Sequence, residues 1–331
     1  MSDSAAPRYG GYWVVSEIRL PALSVHPGNA ADRSVRIERG FATQAGRAAP
    51  AHWRHTWHDD GDDVSLQVAL VPATADHPSA RYFLRAPGQA DFLLDPPAVR
   101  IAVDAEPGLA DNTLEHLLLD QAIPRLLAGR GHLVVHASLV HAGQHTVAFL
   151  GRSGWGKSTL AALLHNRGIP ALCDDCALLE LRDTRVFATP SYPGLRLYAD
   201  SIAQAPKIAP GVGPVSDYTD KQRIIGLALD PALLEPQPLA ALYLLDDPQN
   251  AVKTAHIEPI STAAACMALI EHGFRLDPTD PVRTMRQLGQ AGAVAKAVPA
   301  FLLRHPRDFA RQEALIALLL AHFDSIGHTQ P

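Results

Sequence analysis

Hydrophobic and polar positions alternate along much of the first 105 residues, and this pattern predicts β-strands. The clearest case is the segment 64–71, Val-Ser-Leu-Gln-Val-Ala-Leu-Val, whose alternation is typical of a half-buried antiparallel strand. Shorter runs at 12–16, 81–85, 91–95 and 99–103 predict further strands, and 114–127 predicts a helix. We therefore expect residues 1–125 to form a β-rich N-terminal domain, with substrate recognition or scaffolding as its role.

Longer apolar runs separated by helix signals predict a different architecture for residues 126–248. The runs at 133–141, 146–150 and 171–179 have the length of buried strands, and residues 159–165 open a helix between two of them. The stretch 203–218 is rich in proline and glycine, so we expect a loop there. A loop of this kind is a candidate lid. Alternating strands and helices indicate an α/β domain.

Helical periodicity dominates residues 249–331. Ser261 is a suitable N-cap for a helix over 261–272, and further helices are predicted at 281–297 and 309–323. One edge strand is expected at 300–304. This helical C-terminal region is predicted to pack on the central domain.

Composition excludes several classes of protein. The chain has 331 residues, of which 47% are hydrophobic and 19% charged, and its net charge is -5. These values are typical of a soluble globular protein and give no support for a nucleic-acid partner. No apolar run is long enough for a membrane span, and the N-terminus lacks signal-peptide character, so we expect a cytoplasmic protein without a membrane partner. The oligomeric state stays open.

A glycine-rich segment between a predicted strand and a predicted helix carries the strongest chemical signal. Residues 151–158, Gly-Arg-Ser-Gly-Trp-Gly-Lys-Ser, match the P-loop pattern G-x-x-x-x-G-K-[ST]. In such a loop, backbone N–H groups and the following helix N-terminus bind phosphate oxygens. We therefore predict binding of a nucleoside triphosphate. ATP is favoured because no guanine-selecting N-K-x-D sequence is present.

Each position of the loop then has an expected task. Lys157 reaches the β- and γ-phosphates, and the Ser158 hydroxyl is a ligand for Mg²⁺. The predicted nucleotide-binding residues are Gly151, Ser153, Gly154, Trp155, Gly156, Lys157, Ser158 and Thr159.

Two adjacent carboxylates, Asp174 and Asp175, occur in a predicted strand shortly after the loop. At a strand end one of them could hold Mg²⁺ while the other accepts a proton from an attacking hydroxyl. The alternative is an ordinary acidic turn. His136 lies in an apolar strand pattern, and its spacing leaves a core histidine and a catalytic histidine both open.

Together these three segments resemble one known family. The resemblance rests on Val-His-Ala-Ser-Leu-Val at 135–140, the glycine-rich loop, and Asn-Arg-Gly-Ile-Pro-Ala-Leu-Cys-Asp-Asp at 166–175. The chain from about 134 to 245 resembles the HPr kinase/phosphorylase superfamily, and most of all the related serine kinases of lasso-peptide precursors. The resemblance implies an α/β fold with a PEPCK/HPr-kinase-like P-loop core. It also implies transfer of phosphate from ATP, with Mg²⁺, to a serine of a peptide or small protein.

The resemblance also assigns residue roles. It implies that Asp174 is the general base with His136 as its partner, and that Asp175 and Ser158 are Mg²⁺ ligands. It places Arg196 in the active site, together with Lys157. Two further basic residues, Lys221 and Arg223, lie in a segment similar to a basic element of the family.

The chain also departs from the classical family pattern. No copy of the glycine-arginine-asparagine loop associated with phosphorylase action is found, so we expect neither that activity nor the bacterial phosphocarrier protein as substrate. A second metal-binding carboxylate is hard to place, and Asp200 is the candidate.

Other functions remain open at this stage. Asp246 follows four apolar residues in a general Walker B pattern, which would make the protein an ordinary P-loop ATPase or GTPase. A nucleotide sensor without catalysis and a kinase for a small-molecule hydroxyl are further alternatives. The pair Cys173 and Cys176 lacks a second Cys/His pair at zinc spacing, so no transition metal is expected.

Overall fold

The computed structural model describes residues 5–27, 33–40, 52–59, 61–208, 213–225, 227, 229–250 and 252–327. It has a mixed α/β structure with several sheets, and the chain divides into two compact units. The first unit comprises residues 1–132, 215–219 and 274–286. The second comprises 133–214, 220–273 and 287–331.

The first unit is built on a large sheet. Its strands are β1 Ala5–Tyr9, β2 Tyr12–Ser16, β3 Val25–Pro27, β4 Ser34–Arg39, β5 His55–His58, β6 Val64–Val71, β7 Arg81–Ala86, β8 Ala90–Asp95 and β9 Arg100–Ala105. Among the described residues these nine strands pair in the order β3-β1-β2-β4-β9-β8-β7-β6-β5. The β-strands predicted from alternation in this region, including 64–71, are confirmed.

The helical segment predicted at 114–127 is longer and less regular than expected. It consists of α1 Asp111–Leu117, a π-helical turn Leu118–Ala122, and α2 Ile123–Arg130. Its apolar residues, including Leu118 and Ile123, are fully buried. Gly131 ends the segment in the left-handed conformation, with φ of 107°, which is a common helix stop.

From Leu133 onward the chain supplies a second group of elements. The strands are β10 Leu133–Val135, β11 Ala137–Ala142, β12 His145–Leu150, β13 Ala171–Cys173, β14 Ala177–Arg182, β15 Arg185–Pro190, β16 Leu195–Leu197, β17 Pro214–Ser216, β18 Thr219–Ile224, β19 Gln237–Leu245, β20 His256–Pro259 and β21 Ala300–Arg304. The helices are α3 Lys157–Asn166, α4 Ala199–Ala203, α5 Thr262–Glu271, α6 Pro281–Ala297 and α7 Gln312–Gly327, with 3₁₀ turns Pro231–Leu234 and Phe309–Arg311.

The sheet of the second unit is covered on both faces. In the described part of the chain, β10-β14-β15-β19-β12-β11-β13 pair in that order, and β21 pairs with β19 and β20. Successive residues of β12 enter different cores, because side chains alternate across a strand. Val147 and Phe149 pack with residues of α3 and α7. Ala148 and Leu150 pack with residues of α5 and α6.

Two long predicted strands are each divided in the structure. The run predicted at 133–141 is interrupted at His136, between β10 and β11, and the run at 171–179 is interrupted at Asp174 and Asp175, between β13 and β14. The pairing explains both interruptions, because β10 pairs with β14 whereas β11 pairs with β13. Each of the two segments therefore changes its hydrogen-bonded partner strand at its interruption.

The predicted division at 1–125, 126–248 and 249–331 differs from the two units. The first unit extends to residue 132 because α2 continues to Arg130, and the C-terminal elements belong largely to the second unit. The strand predicted as an edge at 300–304 is not an edge, since β21 has β19 on one side and β20 on the other.

The predicted loop at 203–218 contains a short strand, β17, and residues 209–212 lie outside the described residues. Within the described part of the chain, no helix is sufficiently long and apolar to cross a membrane.

Candidate functional site

The glycine-rich loop, residues 151–156, connects β12 to α3 in the second unit. Gly154 and Gly156 have φ values of 78° and 94°, a conformation that L-residues with a side chain rarely adopt. A Cβ at position 156 would also clash with the Arg307 guanidinium. Gly156 is the N-cap of α3, so the loop ends where the helix exposes its first N–H groups. This geometry suits binding of an anion.

Lys157, the first residue of α3, is buried in the loop. Its exposed fraction is 4%, and its Nζ donates hydrogen bonds to the backbone oxygens of Gly151 at 2.7 Å and Arg152 at 3.2 Å. Burial lowers the pKa of Lys157, whereas the charges of Asp175 and Asp174 act to raise it. The Lys157 amino group is thus held over the loop by two backbone oxygens, and phosphate oxygens could replace those acceptors.

Asp175 is held in place by two basic side chains. Its Oδ1 lies 2.9 Å from His136 Nε2, and its Oδ2 forms an ion pair with Arg196 Nη1. Burial acts to raise the pKa of Asp175, but the Arg196 and His136 interactions outweigh it and hold the pKa well below the usual range. The carboxylate is therefore ionised at neutral pH. Asp175 has φ of 66°, a left-handed conformation that turns the chain out of the strand direction.

Asp174 has a different environment from its neighbour. It is 1% exposed, and its Oδ1 accepts a hydrogen bond of 2.5 Å from the Ser138 hydroxyl. The backbone N–H of Arg196 donates to Oδ2 at 3.3 Å. Arg196 thus contacts both carboxylates, one through its backbone and the other through its guanidinium.

A small cleft of about 50 Å³ brings most of the predicted residues together. It is lined by His136, Ser153, Gly154, Gly156, Lys157, Ser158, Thr159, Asp175, Arg196, Tyr198 and Lys221. The predicted residues Gly151, Trp155, Asp174 and Arg223 are not part of this lining. Gly151 instead contributes its backbone oxygen to Lys157, and Trp155 packs half-buried against the core.

One predicted contact needs correction. The resemblance pairs His136 with Asp174, but in the structure His136 contacts Asp175. The reason is the turn at 174–175: the left-handed Asp175 directs its carboxylate toward the break between β10 and β11, where His136 lies. Asp174 points instead to Ser138, a residue that the sequence analysis did not single out. A polar residue within an apolar strand was the only signal for it.

A larger cleft of about 250 Å³ adjoins the small one. The two share Gly154, Gly156, Thr159 and Tyr198. Its remaining lining residues are Leu160, Leu163, Asp200, Ser201, His305, Pro306, Arg307, Asp308, Phe309, Arg311, Gln312 and Leu315. The lining residues from 305 onward were not predicted from the sequence, because they lie about 150 residues from the loop in the chain. Asp200, the candidate second metal ligand, lines this larger cleft, and its Oδ1 accepts from the Ser201 N–H at 2.6 Å.

The competing candidate Asp246 follows β19, which lies parallel to β12 as a Walker B strand would. Its Oδ2 accepts from Arg304 Nε at 2.8 Å and its Oδ1 from Asn250 Nδ2 at 3.0 Å. Within the described part of the chain, Asp246 lines neither cleft. Its carboxylate is hydrogen-bonded to neighbouring side chains, whereas Asp175 lines the small cleft together with residues of the loop.

The small cleft offers few protein ligands for a metal ion. Among the described residues, no group of three or more His, Cys, Asp or Glu side chains is arranged to hold a metal ion. Mg²⁺, however, commonly takes only one or two protein carboxylates together with phosphate oxygens and waters. Ser158 and the ionised Asp175 line one cleft and fit that pattern.

No family model matches the chain, and no curated protein matches it. Among solved structures, the HPr(Ser) kinase/phosphatase from Coxiella burnetii is similar, with a TM-score of 0.33 and 13% sequence identity. The match covers 59% of this chain and 98% of the other. A similarity at this level does not establish a function.

Proposed function

We propose that the protein is an ATP-dependent kinase that phosphorylates a serine of a peptide or small protein. One observation carries the proposal. The ionised carboxylate of Asp175, held by His136 and Arg196, lines the same cleft as Lys157 and Ser158. A phosphate-binding loop beside a fixed carboxylate is the arrangement that phosphoryl transfer requires, since positioning and electrostatics supply most of the rate.

The loop is proposed to bind the triphosphate of ATP. Its N–H groups and the N-terminus of α3 would contact the phosphates, and Lys157 would exchange the backbone oxygens of Gly151 and Arg152 for phosphate oxygens. Ser158 and Asp175 would hold Mg²⁺, which supplies charge neutralisation for the phosphates when bound.

The proposed transfer is a direct displacement at the γ-phosphorus. A serine oxygen forms a bond to the γ-phosphorus while the bond from that phosphorus to the bridging oxygen breaks, and ADP leaves. The serine proton passes to a carboxylate. Asp174 is the proposed acceptor of this proton. Because it is 1% exposed and lies outside the lining of the small cleft, substrate binding would have to uncover its Oδ1 and exchange the Ser138 hydroxyl for the substrate hydroxyl. The guanidinium of Arg196, which lines the same cleft, would balance charge on the transferring group.

The acceptor is the finest part of the proposal. Support for a peptide serine comes from the resemblance to lasso-peptide precursor kinases, in which the serine is at the precursor's C-terminus. The absence of a glycine-arginine-asparagine loop in the sequence argues against reversal of the reaction by phosphorylase action.

Incubation of the purified protein with Mg·ATP and serine-containing peptides tests the proposal. One set would carry the serine at the C-terminus and a second set internally, and intact mass would be measured for each peptide. We expect a mass gain of one phosphate on the C-terminal set, which is lost in Lys157→Ala and retained in the exposed control Lys296→Ala. ATP binding without a mass gain on any peptide would instead indicate a nucleotide sensor.

A further inference from the structure

The larger cleft has the position that a nucleoside attached to the bound triphosphate would occupy. It shares Thr159 and the glycines of the loop with the small cleft, whereas Asp175 lines only the small cleft. In a P-loop the lysine reaches the β- and γ-phosphates, so the α-phosphate and the nucleoside leave at the opposite end. The volume of about 250 Å³ is slightly below the range of about 300–1,000 Å³ typical for drug-sized ligands, and suits one nucleoside.

The walls of the larger cleft suit an aromatic base. Apolar side chains of α3 and α7, Leu160, Leu163 and Leu315, contribute to one part of the lining, and two aromatic rings, Tyr198 and Phe309, contribute to another. Leu160 and Leu315 also belong to the buried core, so this part of the wall is fixed before any ligand binds. Binding sites for cofactors are typically apolar with a few polar groups that fix orientation.

Two residues of the lining carry buried hydrogen-bond acceptors that no described residue satisfies. Gln312 Nε2 donates to Gln204 Oε1 at 3.3 Å, which leaves Gln312 Oε1 as an acceptor without a partner. His305 Nδ1 lies 3.0 Å from the Pro306 carbonyl oxygen, so Nδ1 carries the proton. His305 Nε2 is then an acceptor, and it too is buried without a partner.

The protonation of His305 supports the same assignment. Burial lowers its pKa to about 4, with a smaller effect in the same direction from Arg307. His305 is therefore neutral at pH 7, and Nε2 keeps its lone pair. A buried acceptor without a donor is unfavourable by an amount comparable to a lost hydrogen bond, so a ligand donor at this place would be favoured.

We propose that the larger cleft is a base-recognition site, in which the side chains of Gln312 and His305 turn toward the cleft on binding, so that Gln312 Oε1 and His305 Nε2 accept hydrogen bonds from the exocyclic amino group of adenine. This inference rests on the proposed function, because it extends the triphosphate site of the loop. Guanine and hypoxanthine carry an oxygen at the corresponding position and would place an acceptor against two acceptors. Selection of ATP then comes from residues in the last tenth of the chain and not from the loop.

Binding measurements with three ligands test the site. Dissociation constants of ATP, ITP and inorganic tripolyphosphate would be measured by calorimetry on the wild-type protein. ITP differs from ATP at the position of the amino group and keeps the sugar and phosphates. We expect ATP to bind at least about ten-fold more tightly than ITP, since loss of a donor leaves the buried acceptors unsatisfied.

A matched pair of variants identifies the residue. Gln312→Leu removes the acceptor at similar size, and Gln249→Leu makes the same change at an exposed position. Gln312→Leu is expected to reduce the ratio of ITP to ATP dissociation constants toward one while tripolyphosphate affinity is unchanged, and Gln249→Leu is expected to change neither. If Gln312→Leu also weakened the binding of tripolyphosphate, the substitution would have disturbed the loop. The ratio of ITP to ATP dissociation constants of the wild-type protein would then decide whether the base-recognition site exists.

The outcomes separate this inference from the proposed function. Equal affinities of the wild type for ATP and ITP would overturn the base-recognition site, while the kinase proposal would stand if tripolyphosphate and ATP both bind. Failure of ATP and tripolyphosphate alike to bind would contradict the loop as a phosphate site, and the base-recognition site would fall with it.

Discussion

At the scale of single residues, the adjacent carboxylates Asp174 and Asp175 are distinguished by their environments. Asp175 lines the small cleft. Burial acts to raise its pKa, but Arg196 and His136 outweigh burial and hold the pKa well below the usual range. Asp174 is buried against the Ser138 hydroxyl. Two chemically identical side chains therefore have different expected roles, a metal ligand and a proton acceptor.

Substitution of each carboxylate by its amide separates these roles. Asp175→Asn should weaken Mg²⁺-dependent ATP binding and lower the transfer rate by at least about 10²-fold, because an amide does not replace an ionised metal ligand. Asp174→Asn should lower kcat by about 10²–10⁴-fold with little change in ATP affinity. Calorimetric ATP titrations with and without Mg²⁺, combined with transfer rates, would measure both. Full transfer activity in Asp175→Asn would rule out its assigned role.

The grouping of these residues was predictable from the sequence, but their pairing was not. Lys157, Ser158, Asp175, His136 and Arg196 were all named from sequence, and the structure brings them to one cleft. Which of two neighbouring aspartates meets the histidine depends on one left-handed φ value, and no residue pattern encodes it. The acceptors in the larger cleft were missed for another reason, since their distance from the loop along the chain gives no local signal.

At the scale of elements, the breaks in two strands create the site. His136 lies between β10 and β11, and the aspartates lie between β13 and β14. Residues on either side of both breaks are apolar and buried, so the sequence predicted unbroken strands. An apolar run indicates burial and not which strand is the hydrogen-bond partner. Strands whose partner does not change, such as β6, were predicted accurately.

The turn from β12 into α3 gives a prediction at the same scale. Gly156→Ala should weaken ATP binding by about ten-fold or more, because alanine is strained at φ of 94° within the loop and the Arg307 guanidinium would have to move away from its Cβ. Gly143→Ala is the matched control: its φ is 66° but no atom lies within 4 Å of the added Cβ. Both substitutions should lower the free energy of unfolding by about 1–2 kcal/mol.

Of the two substitutions, only Gly156→Ala should affect ATP binding. ATP binding by calorimetry and unfolding in urea would be measured for both variants. If Gly143→Ala weakened ATP binding as much as Gly156→Ala, the weakening would reflect general destabilisation, and the loop conformation would not be the cause.

At the scale of the whole molecule, buried histidines make stability depend on pH. Burial lowers the pKa of both His272 and His305 to about 4, with smaller effects of nearby positive charges. In the unfolded chain a histidine has a pKa near 6.5. Between about pH 6.5 and 4 the unfolded state therefore binds more protons, and stability falls as the pH falls through this range.

Urea unfolding at several pH values between 7 and 4 would test this dependence. The free energy of unfolding of the wild type should decrease steadily on acidification, and the decrease should be smaller in His272→Gln. His52→Gln, at an exposed position, should leave the slope unchanged. A wild-type stability that is constant from pH 6.5 to 4 would show that neither histidine is held neutral by the fold.

The arrangement of the whole chain was the least predictable feature. Segments 215–219 and 274–286 belong to the first unit although the surrounding residues belong to the second. The C-terminal region was expected to be helical, to pack on the core and to contribute one edge strand, yet β21 lies between β19 and β20 and α7 lines the larger cleft. Such long-range pairings depend on complementary surfaces that a single sequence does not display.

The central claim is that the cleft at the glycine-rich loop transfers the γ-phosphoryl group of ATP to a serine hydroxyl. The most direct test is intact-mass analysis of serine peptides after incubation with Mg·ATP that carries ¹⁸O in the non-bridging γ-phosphate positions. We predict a phosphorylated peptide that retains all three labelled oxygens, because the bond that breaks joins the γ-phosphorus to the bridging oxygen. Labelled inorganic phosphate together with unmodified peptides would contradict the claim and indicate an ATPase.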